Sequence, residues 1–595
     1  MRSLVSNLRK NTICLRYQKL LVSIVLLAQF LILLYPLLGP LTVGHDLYFH
    51  LYRIQGIHDG LIQGDFPVRI NTAYMNGYGY PVGLCYGDIF LYLPAIFEIM
   101  GLSLTQSYKL FLIIFNLFVL GTSYYCFKRI SGSSIIGVLC CSLWVLAPYR
   151  LVCVYLRASV GEFLAQGFLP ILLYSSLQVF GLIDSRNRLI SLALISVSIF
   201  SIICSHIISL ILFLVTFSPI ILIVIFSYGT KKNTALFLGS VLFGCLLALY
   251  FIVPFLDIYK NGNLVVTNIT LIDKINTASW NATYLPQLFQ LFPRLTGGSV
   301  AGVPVSTEIP QTLGFPIIFA CLVVGYLIRS GGEETSGISK AVLISALLGC
   351  LLCTNCFPWW RYDLPIFGRI VSCLSSIQFP WRFLGGASFL LASYIGFLFK
   401  DSRQKRRLID IGIVLVLVSL FTSVYSISSL KEDNASISFS KLEECPDKFG
   451  FMNGEYLPND IELYDYDISR FTGLVDSDIC KTYKATNKSI SLSVDAHDGS
   501  SIVIPRLYYK YYSVDNASAR KVTCLSDDRG LVKLTFFDTY KGPVDISFKY
   551  PKLWVIADSV STVCFIGLFI VLLVYGFFKA VMRRSTDGHA DCGRA

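Results

Sequence analysis

The sequence predicts a polytopic α-helical membrane protein with a β-rich domain set before its last helix. Three observations carry that reading. Apolar residues make up 54% of the 595 residues and charged residues only 14%, with a mean hydropathy of +0.64. A soluble chain of this size carries far more charge. Apolar runs near the ~20 residues that a bilayer demands recur along the whole length. Basic residues fall in every second loop, as the positive-inside rule requires.

In chain order, Arg2, Arg9, Lys10, Arg16 and Lys19 precede the first run at 20–38. No small-residue cleavage signature follows it, so it reads as an uncleaved anchor. Further runs lie near 109–127, 133–149, 164–182, 189–205, 207–228, 234–256, 311–329, 340–356, 383–399, 408–428 and 553–578. That makes about twelve crossings. Lys128 with Arg129, Arg186 with Arg188, Lys231 with Lys232, Arg329 with Lys340, Lys400 through Arg407, and Lys579, Arg583 and Arg584 all fall on the N-terminal side. Both termini are therefore expected in the cytoplasm. The formal net charge of +12 becomes a topology device, which argues against a nucleic-acid partner.

The alternate loops are the long ones, at 40–108, 150–163, 257–310, 357–382 and 429–552, and they face outward. The apolar stretch from Ile89 to Met100 is too short to span and reads as re-entrant or interfacial. Segment 429–552 differs in composition. Its runs Ser489–Val494, Ser501–Ile504, Leu531–Phe536 and Val544–Phe548 alternate or are β-branched, with Gly, Asp and Asn between them. They predict a small antiparallel β-sandwich. The expected organisation is a transmembrane domain over 1–428 with a large first outer loop at 40–108, the β-rich domain over 429–552, and a last helix with its tail over 553–595.

The 18 cysteines lie mostly inside the apolar runs, where a thiol packs as a small apolar group. Cys353-Thr-Asn-Cys356 has redox spacing but no βαβ context. Cys445, Cys480 and Cys524 lie outside and are odd in number, so one pair at most bridges within the domain.

Chemistry is expected where charge meets the membrane boundary, because burying a charge near lipid is costly without a use or a partner. Gly44-His45-Asp46 follows the first span, and Leu47, Leu51, Ile54, Ile57 and Leu61 then recur at helical steps. They predict an amphipathic helix on the bilayer surface. Asp46 and Asp88 begin and end the first outer loop and would supply a base and an orienting or metal-binding partner. Asp88 reads equally as the N-cap of the stretch from Ile89. Arg382 sits between Trp381 and a span, where its planar fork suits phosphate oxygens or snorkels to headgroups. Arg150, Arg157 and Glu162 fill a short outer loop in which Arg157 and Glu162 pair. His206, at a hairpin edge, reads as a hydrogen-bonded structural residue. No HExxH, Walker loop, GxSxG or zinc spacing is present.

Several stretches resemble the GT-C superfamily of membrane glycosyltransferases, and within it a bacterial family of membrane proteins labelled "6-pyruvoyl-tetrahydropterin synthase-related". They are Gly44–Asp46, Phe66–Ile70, Gly77–Pro81, Arg157–Phe163, Gln378–Phe383 and Gly454–Pro458. The resemblance implies inverting transfer of a sugar from a polyprenyl-phosphate donor to a glycan, lipid or protein acceptor outside a bacterial cytoplasmic membrane. It implies Asp46 as base, His45 as its orienting or donor-contacting neighbour, and Asp88 as acceptor-positioning or cation-holding. Arg382 would clamp the phosphate, with Arg150, Arg157 and Arg53 as further phosphate candidates. Whether Asp46 and Asp88 hold a divalent cation stays open. A transporter or flippase would place charge at mid-membrane, where these spans carry almost none. A non-catalytic envelope assembly protein would use the β domain and leave Asp46 idle.

Overall fold

A computed structural model of the chain describes residues 2–184, 187–296, 299–300, 303–304, 309–437, 441–444, 454–459, 478–515 and 521–591. Arg186 and Cys445, which enter the topology and cysteine arguments, lie outside these residues, as do the side chains of Lys579, Arg583 and Arg584.

Among the described residues, seven helices are long and apolar enough to cross a bilayer: Arg16–Leu37, Leu104–Ser131, Val160–Val179, Ile207–Tyr228, Pro380–Asp401, Lys405–Glu432 and Lys552–Phe577. Two bent pairs, Ser134–Val145 with Pro148–Leu156 and Lys231–Leu247 with Leu249–Asn261, make nine if each is one span. The difference from twelve comes from three expected spans, which fold as Arg188–Ile203, Gly314–Ser330 and Gly337–Cys353, of 16, 17 and 17 residues. Each is at or just below the short end of the roughly 17–25 residues that cross a bilayer. The stretch from Ile89 folds as an apolar helix ending at Ile99.

Breaks inside these helices are satisfied by neighbouring side chains, as apolar surroundings demand. The pair over Lys231–Asn261 bends by 68°. At the bend, Ser561 of the last helix accepts from the Tyr250 N–H at 2.9 Å and donates to the Leu246 carbonyl at 3.1 Å. Pro254 has no N–H for the Tyr250 carbonyl, and Arg69 Nη1 donates to that oxygen at 3.3 Å. Pro219 leaves the Val215 carbonyl in the same position, and Ser218 Oγ donates to it at 2.8 Å.

Loops rich in basic residues gather at one end of the bundle, where Lys400 Nζ donates to the Leu182 carbonyl at 2.9 Å and the Arg403 N–H to Glu333 at 3.1 Å. The segments around Asp46 and Arg382 lie at the other end, and so does the β region. Its strands form a four-stranded antiparallel sheet in the order Cys480–Ala485, Ser489–Ala496, Tyr540–Phe548, Tyr512–Val514, and a three-stranded one in the order Ser501–Leu507, Leu531–Phe536, Val522–Ser526. Alternate residues Ile490, Leu492, Val494, Ile502, Ile504, Leu534 and Ile546 are buried. Among the described residues Cys353, Cys356 and Cys524 are free thiols.

The β region is docked. Asn487, fully buried in a hairpin, donates from Nδ2 to the Gly56 carbonyl at 3.4 Å and accepts at Oδ1 from the Thr72 N–H at 3.3 Å and from its hydroxyl. Tyr511 and Trp554 donate to Asp257 at 2.6 and 2.9 Å. Arg69 pairs both oxygens of Asp558 at 2.7 and 2.9 Å and lies 4.9 Å over the Tyr550 ring. Residues 454–459 pair with 263–266, and the Tyr456 N–H donates to the Tyr80 hydroxyl at 3.0 Å. Three of the six sequence stretches, Phe66–Ile70, Gly77–Pro81 and Gly454–Pro458, thus serve this junction.

Candidate functional site

The other three stretches build one cluster. Gly44-His45-Asp46 lies along the turn that follows Pro148–Leu156, and the N–H groups of His45 and Asp46 donate to the Leu156 and Arg157 carbonyls at 3.3 and 2.8 Å. A Cβ on Gly44 would stand 2.7 Å from that of Ala158, so the backbones meet this closely only because residue 44 is glycine. Ala158 takes a φ of 53°, which few non-glycine residues adopt. Residues 152–156 just before it form a π-helical turn, a widening frequent at functional sites.

This contact places Asp46 beside Arg157, with Oδ2 3.7 Å from Nη2. Asp46 occupies the N-cap position of Leu47–Ile62, yet its carboxylate makes no capping hydrogen bond. Its side chain keeps 24% exposure, against 7% for Arg157. The acid is held by its backbone and left open at its carboxylate.

Glu162 forms the centre. It is 1% exposed, and Arg157 Nη1 donates to its Oε2 at 2.7 Å while Arg382 Nε stands 3.7 Å from the same oxygen. Tyr149 donates to Oε1 at 2.6 Å. Gly161, beside it, is packed so tightly that a Cβ would meet the Ser205 carbonyl at 2.5 Å.

Arg382 arrives on a strained turn. Gln378 has φ 64° and ψ −51°, and the Phe379 N–H donates to the Ile377 carbonyl at 2.8 Å, which makes a γ-turn of the rare hand. The same carbonyl accepts from Arg382 Nη1 at 3.0 Å. The guanidinium lies 4.8 Å over the Phe379 ring, which stacks on Trp381 with centroids 4.7 Å apart. Nη2 of Arg382 and Nη2 of Arg157 form no hydrogen bond with the described residues. Two guanidiniums share a carboxylate, with Nη2 of Arg382 unbonded and Nη2 of Arg157 turned to Asp46, an arrangement that can receive an anion.

Behind the cluster, His50 Nε2 accepts from the Val160 N–H at 3.3 Å, and Arg53 Nη1 stands 3.3 Å from Nδ1. Burial and then the Arg53 charge hold His50 well below its ordinary pKa. His206 accepts from the Ser209 N–H as the N-cap of Ile207–Tyr228, and burial followed by the Arg382 charge takes its pKa down to about 3.

The remaining expected residues stand apart. Arg53 donates to the Gly87 carbonyl at 2.6 Å and lies 4.4 Å over the Tyr86 ring, so it holds the 86–88 turn. Arg150, 0% exposed, donates to the Val145 carbonyl and to Asn116 at 2.9 Å each. There its charge faces the negative end of the helix Ser134–Val145. Asp88 is buried at an N-cap position without a side-chain capping bond. Burial pushes its carboxyl up to about 7, against the pull of Arg53 and Arg69. His45 is exposed beside Asp46. Among the described residues no three of His, Cys, Asp and Glu come together as metal ligands, and Asp88 faces two arginines.

Glu162 is the residue that sequence reading took for a simple partner of Arg157. A buried acid among apolar neighbours five residues from one arginine signals such a centre, but its second arginine is 220 positions away.

No family model matches the chain. An uncharacterized protein of Lactococcus lactis subsp. cremoris (strain MG1363) is 22% identical over 251 residues, which are 41% of this chain and 40% of that relative. Among solved structures, the Archaeoglobus fulgidus oligosaccharyltransferase tethered with an acceptor peptide aligns at 12% identity and a TM-score of 0.38, over 69% of this chain and 55% of that one. The arabinofuranosyltransferase AftD from Mycobacteria aligns at 12% identity and a TM-score of 0.33, over 69% and 26%. ArnT from Cupriavidus metallidurans bound to undecaprenyl phosphate aligns at 12% identity and a TM-score of 0.28, over 64% and 78%.

Proposed function

We propose that the protein transfers a sugar from a polyprenyl-phosphate carrier to an acceptor hydroxyl on the extracytoplasmic side of the cytoplasmic membrane. The observation that carries this reading is the open carboxylate of Asp46 set 3.7 Å from Arg157, with Arg157 and Arg382 both drawn onto Glu162. A base and an anion cradle stand side by side at the ends of membrane helices. An apolar cavity of about 260 Å³ supports a lipid-borne donor. It runs between Leu169–Val179, Arg188–Ile203, Ile207–Tyr228 and Lys231–Leu247, and it reaches Leu210, one turn from His206. An isoprenoid chain fits such a lining.

In this mechanism Asp46 takes the proton of the acceptor hydroxyl as its oxygen attacks the anomeric carbon. The bond from that carbon to the phosphate oxygen breaks on the opposite face, which inverts the centre. The electron pair stays on the carrier phosphate, where Arg157 and Arg382 stabilise the added charge in a water-poor site. Glu162 keeps the two guanidiniums aligned, and His45 borders the base on its exposed side.

The test uses a strain lacking the gene. Its lipid extract should accumulate a polyprenyl-phosphate-linked sugar, and the wild-type gene should clear it. Asp46→Asn should accumulate in the membrane at normal abundance yet fail to clear the lipid, with turnover down by the roughly hundred- to ten-thousand-fold that loss of a general base brings. Full clearance by Asp46→Asn would sink the mechanism.

A further inference from the structure

The two long loops on either side of Gly314–Cys353 carry apolar side chains that stand exposed among the described residues. The helix Phe367–Leu374 buries Gly368, Val371 and Leu374 against its neighbours. Its opposite face, extended back to residue 366, presents Ile366, Arg369, Ile370 and Cys373 at the steps i, i+3, i+4 and i+7. Ile366 is 80% exposed and Ile370 47%. A helix that is apolar inward and carries Ile366 and Ile370 around Arg369 outward suits a boundary between lipid and water. The helix Leu271–Trp280 packs beside it and repeats the pattern, with Ile275 and Ala278 buried and Ile272 and Trp280 exposed at 57% and 78%.

Hydrogen bonds fix the height of this pair. Thr283 donates its N–H to the Cys353 carbonyl at 2.9 Å and accepts from the Asn355 N–H at 2.9 Å. Cys353 is the last residue of the apolar helix Gly337–Cys353. That helix exposes Ile344, Leu347 and Leu351 along one stripe, at 51%, 55% and 45%. Trp360, 53% exposed, continues the apolar surface beyond the helix end. The loops therefore stand at the level where the lipid-facing surface of a membrane helix stops.

We infer that these two loops form a shelf embedded in the headgroup region of the leaflet at the site end of the bundle, with phospholipid as its partner. Continuity with the exposed stripe of Gly337–Cys353 gives the shelf its apolar neighbour. Arg369 sits between Ile366 and Ile370 on the same face, where its stem lies along acyl chains and its fork reaches lipid phosphate. The exposed Trp280 and Trp360 are the residue type that settles at this depth. The shelf ends at Leu374, just before the turn that carries Arg382, so it would bring the bilayer surface to the edge of the cluster.

The test is collision accessibility of nitroxide labels at Ile366→Cys and Ile370→Cys. The chain is full length with Cys14, Cys356, Cys373, Cys445, Cys524 and Cys592 changed to serine, in nanodiscs of phosphatidylethanolamine and phosphatidylglycerol. Both positions are exposed, so the labels leave the packed face undisturbed. A label at Asp498→Cys, in an exposed turn of the β domain, gives the aqueous reference. The ratio of collisions with dissolved oxygen to those with a water-soluble nickel chelate should exceed one at 366 and 370 and fall below one at 498. A ratio below one at 366 and 370 would overturn the shelf, since water or a soluble partner then covers that face. Shielding from both reagents would overturn it as well, because the cover is then protein. Neither readout depends on sugar transfer.

Discussion

Arg157 Nη1 and Arg382 Nε converge on one carboxylate oxygen of Glu162, at 2.7 and 3.7 Å. Without that oxygen two buried guanidiniums face each other. Removing one partner of a buried ionic group costs about 3–5 kcal/mol. Glu162→Gln should therefore lower the melting temperature of the detergent-solubilised protein markedly, and it should abolish clearance of the lipid intermediate in the deletion strain. An unchanged melt would mean that the two arginines do not need their shared acid.

Arg382→Lys tests the fork itself. An ammonium keeps the charge but loses the planar stack on Phe379 and the paired donors that suit phosphate. Turnover should fall by roughly ten- to a hundredfold, about the value of one charge-assisted hydrogen bond. The protein level on a membrane blot should stay near that of the wild type.

Asp88 makes stability depend on pH. Its folded pKa of about 7 lies above the ordinary value of 3.8. The folded state therefore holds a proton that the unfolded state has lost. The favourable contribution is complete below the ordinary value and disappears as pH rises towards about 7. Asp88→Asn should thus raise the melting temperature more at pH 8 than at pH 4. A variant whose gain is the same at both pH values would contradict the raised pKa.

Asn487 tests the docking of the β region. Asn487→Ala leaves buried groups of Thr72 and Gly56 without their partner, at roughly 1–3 kcal/mol. Limited proteolysis should then release the strands over 478–548 sooner than in the wild type. Equal rates would show that the hairpin contact is not what holds the domain.

Hydropathy alone locates the long helices, because each must bury a run of apolar side chains in lipid. It also marks Arg188–Ile203, Gly314–Ser330 and Gly337–Cys353, which fold as apolar helices of 16, 17 and 17 residues among longer neighbours. Alternation in Ser489–Ala496 and Leu531–Phe536 reveals strands because each has one face in a core. Within the site, Asp46, Arg157 and Arg382 share a signature legible in the chain, a charge at a span end. Arg53 and Arg150 share it too, yet their guanidiniums serve carbonyls, and nothing local in the sequence separates the two uses. The Gly44–Ala158 contact and the Gln378 turn depend on backbone approaches between distant segments.

The bend in Lys231–Asn261 is closed by Ser561, a residue made some 310 positions after it. During synthesis the earlier segments leave the ribosome well before their partner exists. The Tyr250 N–H and Leu246 carbonyl must wait, held by water or by the insertion machinery, until the last helix enters. Closing of this bend thus waits on a helix made long after it. A chain truncated before residue 552 would lack Ser561 and leave that bend unclosed.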